Sequence, residues 1–88
     1  MKIKEGYILR NVAGYNVVVP VGDAALDFNG MINLNETGAF LWKAMTEETD
    51  EKTLVSALLE EYDTNEETAA ADVAAFVKKM RDAELIDG

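Results

Sequence analysis

The amino-acid sequence predicts an α+β domain, a three-stranded antiparallel sheet in its N-terminal part followed by three helices. Two observations lead there. The first 34 residues hold β-branched and aromatic runs broken by turn signals, and nearly everything after Asn35 spaces its apolar residues at helical intervals. With 88 residues, 49% of them apolar, the chain can bury one modest core and is expected to form one domain over residues 1–88.

Tyr7 to Val12 and Tyr15 to Val19 read as the first two strands, and the Ala13-Gly14 between them is short enough for a hairpin. Pro20 ends the second strand, because it has no N–H to donate to a ladder. A third run, Met31 to Leu34, follows Asn29-Gly30, a strong two-residue turn signal. Leu26-Asp27-Phe28 either pairs with this run or forms a loop that leaves one of its edges open, and the residues fit both arrangements.

Asn35 has the short polar side chain of a helix N-cap, and Glu36 behind it suits the positive helix end. The first helix carries Leu41, Trp42 and Met45 as its apolar stripe, with Trp42 the core anchor and Gly38 allowing a close approach one turn earlier. The second starts near Asp50 or Glu51, shows Leu54, Val55, Leu58, Leu59 and Tyr62 on one face, and ends near Asp63. Thr64 or Asn65 caps the third, with Glu66 and Glu67 in its first turn and Lys78, Lys79 and Arg81 in its last turns, as the helix dipole favours. Its stripe is Val73, Phe76, Val77 and Met80, while Ala69, Ala70, Ala71, Ala74 and Ala75 keep it slim on its other sides, able to line a groove. Leu85 and Ile86 are expected to fold back onto the core. Three strands, then three helices with the last two joined by a tight turn, make a winged-helix-like arrangement.

Composition removes whole classes of function. Eight basic against 17 acidic residues give a net charge of −9, which repels nucleic-acid phosphates and anionic lipid. Nine carboxylates and one lysine lie between Glu47 and Glu67, a solvated face or a docking surface for a basic partner. There is no His and no Cys, so the usual general base, the thiol nucleophile, the disulfide and the common zinc ligands are absent. The neighbouring pairs Glu47-Glu48, Glu60-Glu61 and Glu66-Glu67 diverge on a helix and form no acid/base dyad. Asp63 to Glu67 starts like a calcium loop, but Thr68 and Ala74 stand where glycine and glutamate are needed. No glycine pattern supports nucleotide binding, so no catalytic residue, metal or cofactor is expected and the chain reads as no enzyme. No apolar stretch approaches the roughly 20 residues of a membrane span, and the N-terminus lacks a signal-peptide pattern, which places the chain in the cytoplasm.

A narrower signal comes from Gly30 to Gly38 (GMINLNETG) running into Phe40-Leu41-Trp42, then Glu60-Glu61-Tyr62-Asp63, Ala71-Asp72-Val73, Phe76-Val77 and Leu85-Ile86. Together these residues resemble the coenzyme PQQ synthesis protein D family, from Tyr7 to the end of the chain. The resemblance implies a peptide chaperone, also called a RiPP recognition element, that binds the leader of a ribosomally made precursor peptide and presents it to a modifying enzyme, radical SAM or other. It implies that the leader adds as a strand along Gly30, Met31, Ile32, Asn33 and Leu34, with the backbones of Met31, Ile32 and Asn33 pairing. Asp72, Ala75, Phe76 and Lys79 of the third helix then form the opposite wall, an instance of β-augmentation. Several of these residues also have plainer readings. Phe76 belongs to the apolar stripe, Asp72 suits a structural hydrogen bond or solvated surface, Lys78 and Lys79 complement the dipole, and Asn35 and Glu36 need only be caps. Two rival readings are an assembly domain using the open strand edge for a homodimer, and a winged-helix DNA binder. The second is opposed by Glu66, Glu67 and Asp72 on the would-be reading helix.

Overall fold

The computed structural model describes residues 1–22 and 32–87. The chain runs β1 (Lys2–Ile3), β2 (Tyr7–Val12), β3 (Tyr15–Pro20), β4 (Ile32–Leu34), α1 (Glu36–Ala44), α2 (Glu51–Glu61), α3 (Glu66–Asp82) and β5 (Ile86–Asp87). Strands β2, β3 and β4 form an antiparallel sheet in that order, and three helices follow it, the α+β arrangement expected. The alternatives for Leu26-Asp27-Phe28, and the strand roles expected of Gly30 and Met31, lie outside the described residues.

In the β2–β3 hairpin Val12 stands opposite Tyr15 and Tyr7 opposite Pro20. Ala13 (φ 52°) and Gly14 (φ 85°) are both left-handed, the backbone of a two-residue turn whose twist matches the strands it joins. The register Asn16↔Leu34, Val17↔Asn33 and Val18↔Ile32 then sets the faces of the sheet. Val18 and Leu34 enter the core, Ile32 packs against it, and Val17 and Asn33 turn to the other face.

Each helix opens on an Asx cap: Gly38 N donates to Asn35 Oδ1 (2.7 Å), Thr53 N to Asp50 Oδ1 (2.7 Å) and Thr68 N to Asn65 Oδ1 (2.8 Å). Asn65, not Thr64, therefore caps α3. The same helix ends in a Schellman motif, with Leu85 N donating to Met80 O (2.9 Å) and Glu84 N to Arg81 O (3.0 Å). Leu85 and Met80, the hydrophobic pair of that motif, are fully buried.

The core joins Leu41, Trp42 and Met45 of α1, Leu54 and Leu58 of α2, and Ala69, Val73, Phe76, Val77 and Met80 of α3 to the sheet. Two expectations fail in detail. Leu59 is 37% exposed, because the α2–α3 contact runs along Leu54 and Leu58 and Leu59 lies one residue, about 100°, further round the helix. Ala69 is fully buried and begins the stripe of α3 instead of sitting on its slim side, since it precedes Val73 by one turn. The small β1–β5 sheet, Lys2↔Asp87 and Ile3↔Ile86, is a further element that periodicity did not reveal. Ile3 N bonds Met45 O and Lys4 N bonds Leu85 O, each at 2.8 Å, so β1 is stitched to the ends of α1 and α3.

Candidate functional site

Strand β4 stands at one edge of its sheet: β3 lies on one side, and among the described residues no strand lies on the other. An edge strand carries backbone donors and acceptors without a ladder partner, and these attract an additional strand. Beside β4 a groove of about 250 Å³ opens, lined by Leu34, Asn35, Thr37, Gly38, Leu41, Asp72, Ala75, Phe76 and Lys79. The wall from α3 is set by helical spacing, because Asp72, Ala75, Phe76 and Lys79 fall at i, i+3, i+4 and i+7. Ala75 at its middle keeps the wall low, and Phe76, 7% exposed, belongs to the core and also to the groove floor.

The opposite wall depends on how α1 leaves β4. Gly38 approaches so closely that a Cβ there would lie 3.2 Å from Asn35 Oδ1 and 3.3 Å from Leu34 Cβ. Asn35 therefore caps the helix and lines the groove at once. Leu34, Asp72, Ala75, Phe76 and Lys79 are thus brought together; Asn33 joins them through its carbonyl, which accepts from Lys79 Nζ at 3.1 Å. Ile32 is half-buried against the core. Asn35, Gly38 and Leu41, expected as cap, close approach and core stripe, also line the groove, as does Thr37. The signal available was Gly38, whose close approach was expected but not connected with a groove.

The charges of the groove are few. Asp72 and Lys79 are both exposed and lie two turns apart on α3. The adjacent Lys78 turns elsewhere, donating to Asp82 at 2.8 Å, and that bond raises its pKa above the ordinary lysine value. Phe40 of α1 meets Tyr62, the C-cap residue of α2, edge to face with ring centroids 5.5 Å apart. Burial, with Glu36 and Glu61 nearby, raises the Tyr62 phenol. On the outer face of the sheet, Val12, Ala13, Tyr15, Val17 and Asn33 line a second, mainly apolar depression of about 320 Å³. Among the described residues no three His, Cys, Asp or Glu side chains could hold a metal together, and no helix is long and apolar enough to cross a membrane.

The family model for Coenzyme PQQ synthesis protein D matches residues 16–86. No curated protein matches the sequence. Two solved structures share the fold. One, "TbiB1 in Complex with the TbiA(beta) Leader Peptide", has a TM-score of 0.76 at 20% identity, covering 100% of this chain and 96% of that one. The other, "Lasso peptide synthetase B1 complexed with the leader peptide", has a TM-score of 0.71 at 15% identity, covering 96% of this chain and 93% of that one.

Proposed function

The chain belongs to the coenzyme PQQ synthesis protein D family, and from that premise we propose that it binds the leader of a ribosomally synthesised precursor peptide and presents it to a modifying enzyme. The observation that carries the reading is the β4 edge standing beside the groove to α3. An extended peptide laid there gains main-chain hydrogen bonds from the edge and side-chain contacts from the groove, the two components of β-augmentation. Each such hydrogen bond nets only about 0.5–1.5 kcal/mol, so a micromolar complex, worth roughly −8 kcal/mol, needs side-chain contacts in the groove as well. The two structures of the same fold, each bound to a leader peptide, support this use of the fold.

On this reading Gly30, Met31, Ile32, Asn33 and Leu34 supply the strand, and Asp72, Ala75, Phe76 and Lys79 the facing wall. The chain acts by binding and carries no chemistry of its own; the reactive groups belong to the enzyme it serves, of radical SAM type or another. On this reading it works in the cytoplasm.

The test is an NMR titration of the labelled protein with synthetic leader segments encoded by short reading frames beside its gene. Saturable shifts of the Ile32, Asn33 and Leu34 amides together with those from Asp72 to Met80 are expected. If no leader moves them while dilution does, the edge belongs to a homodimer and the reading falls.

A further inference from the structure

The contact between Lys79 and Asn33 bears on which peptides the groove accepts. In the free chain the Lys79 ammonium donates to the Asn33 carbonyl at 3.1 Å, joining α3 to β4 across 46 residues of sequence. An added strand draws on that same acceptor, so its own N–H competes with the ammonium for the oxygen. Once displaced, Lys79 has few alternatives on its own helix. Ala75 and Ala83 stand four residues away on either side and Phe76 three before it, while Asp82, three after it, already accepts from Lys78 at 2.8 Å. Asp72, the carboxylate lining the same groove, is seven residues away, about 10 Å along the helix axis. The freed ammonium is left facing the peptide.

Strand geometry says which peptide side chains it meets. Asn33 turns its side chain to the outer face of the sheet, with Val17 and Tyr15, so a peptide residue directly opposite Asn33 points the same way. The residues before and after it point towards α3. We propose that Lys79 is a specificity-determining residue: it occupies the Asn33 carbonyl in the free chain and, displaced by the added strand, selects a leader with Asp or Glu next to the residue that pairs with Asn33. This rests on strand addition at β4. The exchange discriminates because the ammonium trades a neutral carbonyl for a carboxylate, a stronger acceptor, whereas a peptide with Gln or Lys there displaces the same bond and gains less. The selection is local, since the overall charge of −9 by itself disfavours acidic peptides.

The experiment uses the full chain and the same synthetic leader segments, each made in Glu, Gln and Lys versions at the position facing α3, with binding measured by calorimetry and by the Ile32 to Leu34 amide shifts. The wild type should bind the Glu version about two- to fivefold more tightly than the Gln version, and 0.5 M salt should shrink that ratio. In Lys79→Met the ratio should fall to about one, and the Gln version should bind at least as tightly as to the wild type because no bond must be displaced. Lys79→Arg, which keeps the charge, should restore much of the preference. If the amides shift but the Glu-to-Gln ratio is the same in wild type and Lys79→Met, Lys79 does not select and strand addition stands without it. If no version moves the β4 amides, strand addition fails and this proposal with it.

Discussion

Glu84 sits at the left-handed position of the Schellman motif with φ 60°, where glycine is the usual residue. A side chain there strains the backbone, and a carboxylate beside the negative end of α3 adds an unfavourable charge. Glu84→Gly removes both while leaving the Leu85-to-Met80 and Glu84-to-Arg81 backbone bonds intact. After the greater freedom glycine gives the unfolded chain, the substitution should stabilise the fold by roughly 0.5–1 kcal/mol. Urea unfolding monitored by Trp42 fluorescence would show it as a higher midpoint at unchanged slope. Sequence reading expected Leu85 and Ile86 to return to the core but contained no sign that Glu84 would bend the chain to bring them there, because only the tertiary pull on Leu85 makes the left-handed turn worthwhile.

At the scale of elements, the free edge of β4 and the alanine-rich side of α3 create the groove together. Proline has no N–H and is tolerated on edge strands whose N–H faces away from the neighbouring strand. Because the Asn33 carbonyl meets Lys79 rather than only the β3 ladder, its N–H is placed on the same outward side. Asn33→Pro should therefore weaken leader binding at least tenfold, by withdrawing one main-chain bond and obstructing the approach of the added strand. The unfolding midpoint should change far less, since the Ile32 and Leu34 side chains remain in place. An equal loss of stability and binding would show instead that Asn33 N–H holds the sheet together. The second helix is a reminder that stripes are read with an error of one residue: Leu58 is buried and Leu59 is not, a choice made by the direction from which α3 packs.

For the molecule as a whole, charge sets the response to pH. The Asp50 carboxylate accepts from the Thr53 backbone N–H and side chain, and these bonds hold its pKa below the ordinary value. A depressed folded-state pKa contributes stability that is fully present above the unfolded value, about 3.9 for Asp, and is lost as pH falls through the folded one. Asp50→Asn keeps a capping oxygen without the proton linkage. Thermal melts should find the wild type more stable than Asp50→Asn at neutral pH, with the difference closing as the pH falls below about 4. A difference that widened on acidification would mean that Asp50 is destabilised by its charged neighbours.

By itself the sequence determined the order of the three sheet strands and three helices, the Asn35 cap, the starts of the other two helices to within a residue, most of the buried stripes, the absence of His and Cys and the family resemblance, because each is a local pattern of spacing, propensity or residue type. The family resemblance also implied Asp72, Ala75, Phe76 and Lys79 as the wall of a groove, and these four residues line it. Only the tertiary structure decided that α1 would approach β4 closely enough for Asn35, Thr37 and Gly38 to line the facing wall, that Ala69 would be core, and that β1 would pair with β5. The pairing of β1 with β5 and the bond from Lys79 to Asn33 join residues far apart in the chain, and the burial of Ala69 follows from the packing of α3 on the rest of the core. Their energies depend on how whole elements pack, and no window of neighbouring residues contains that information.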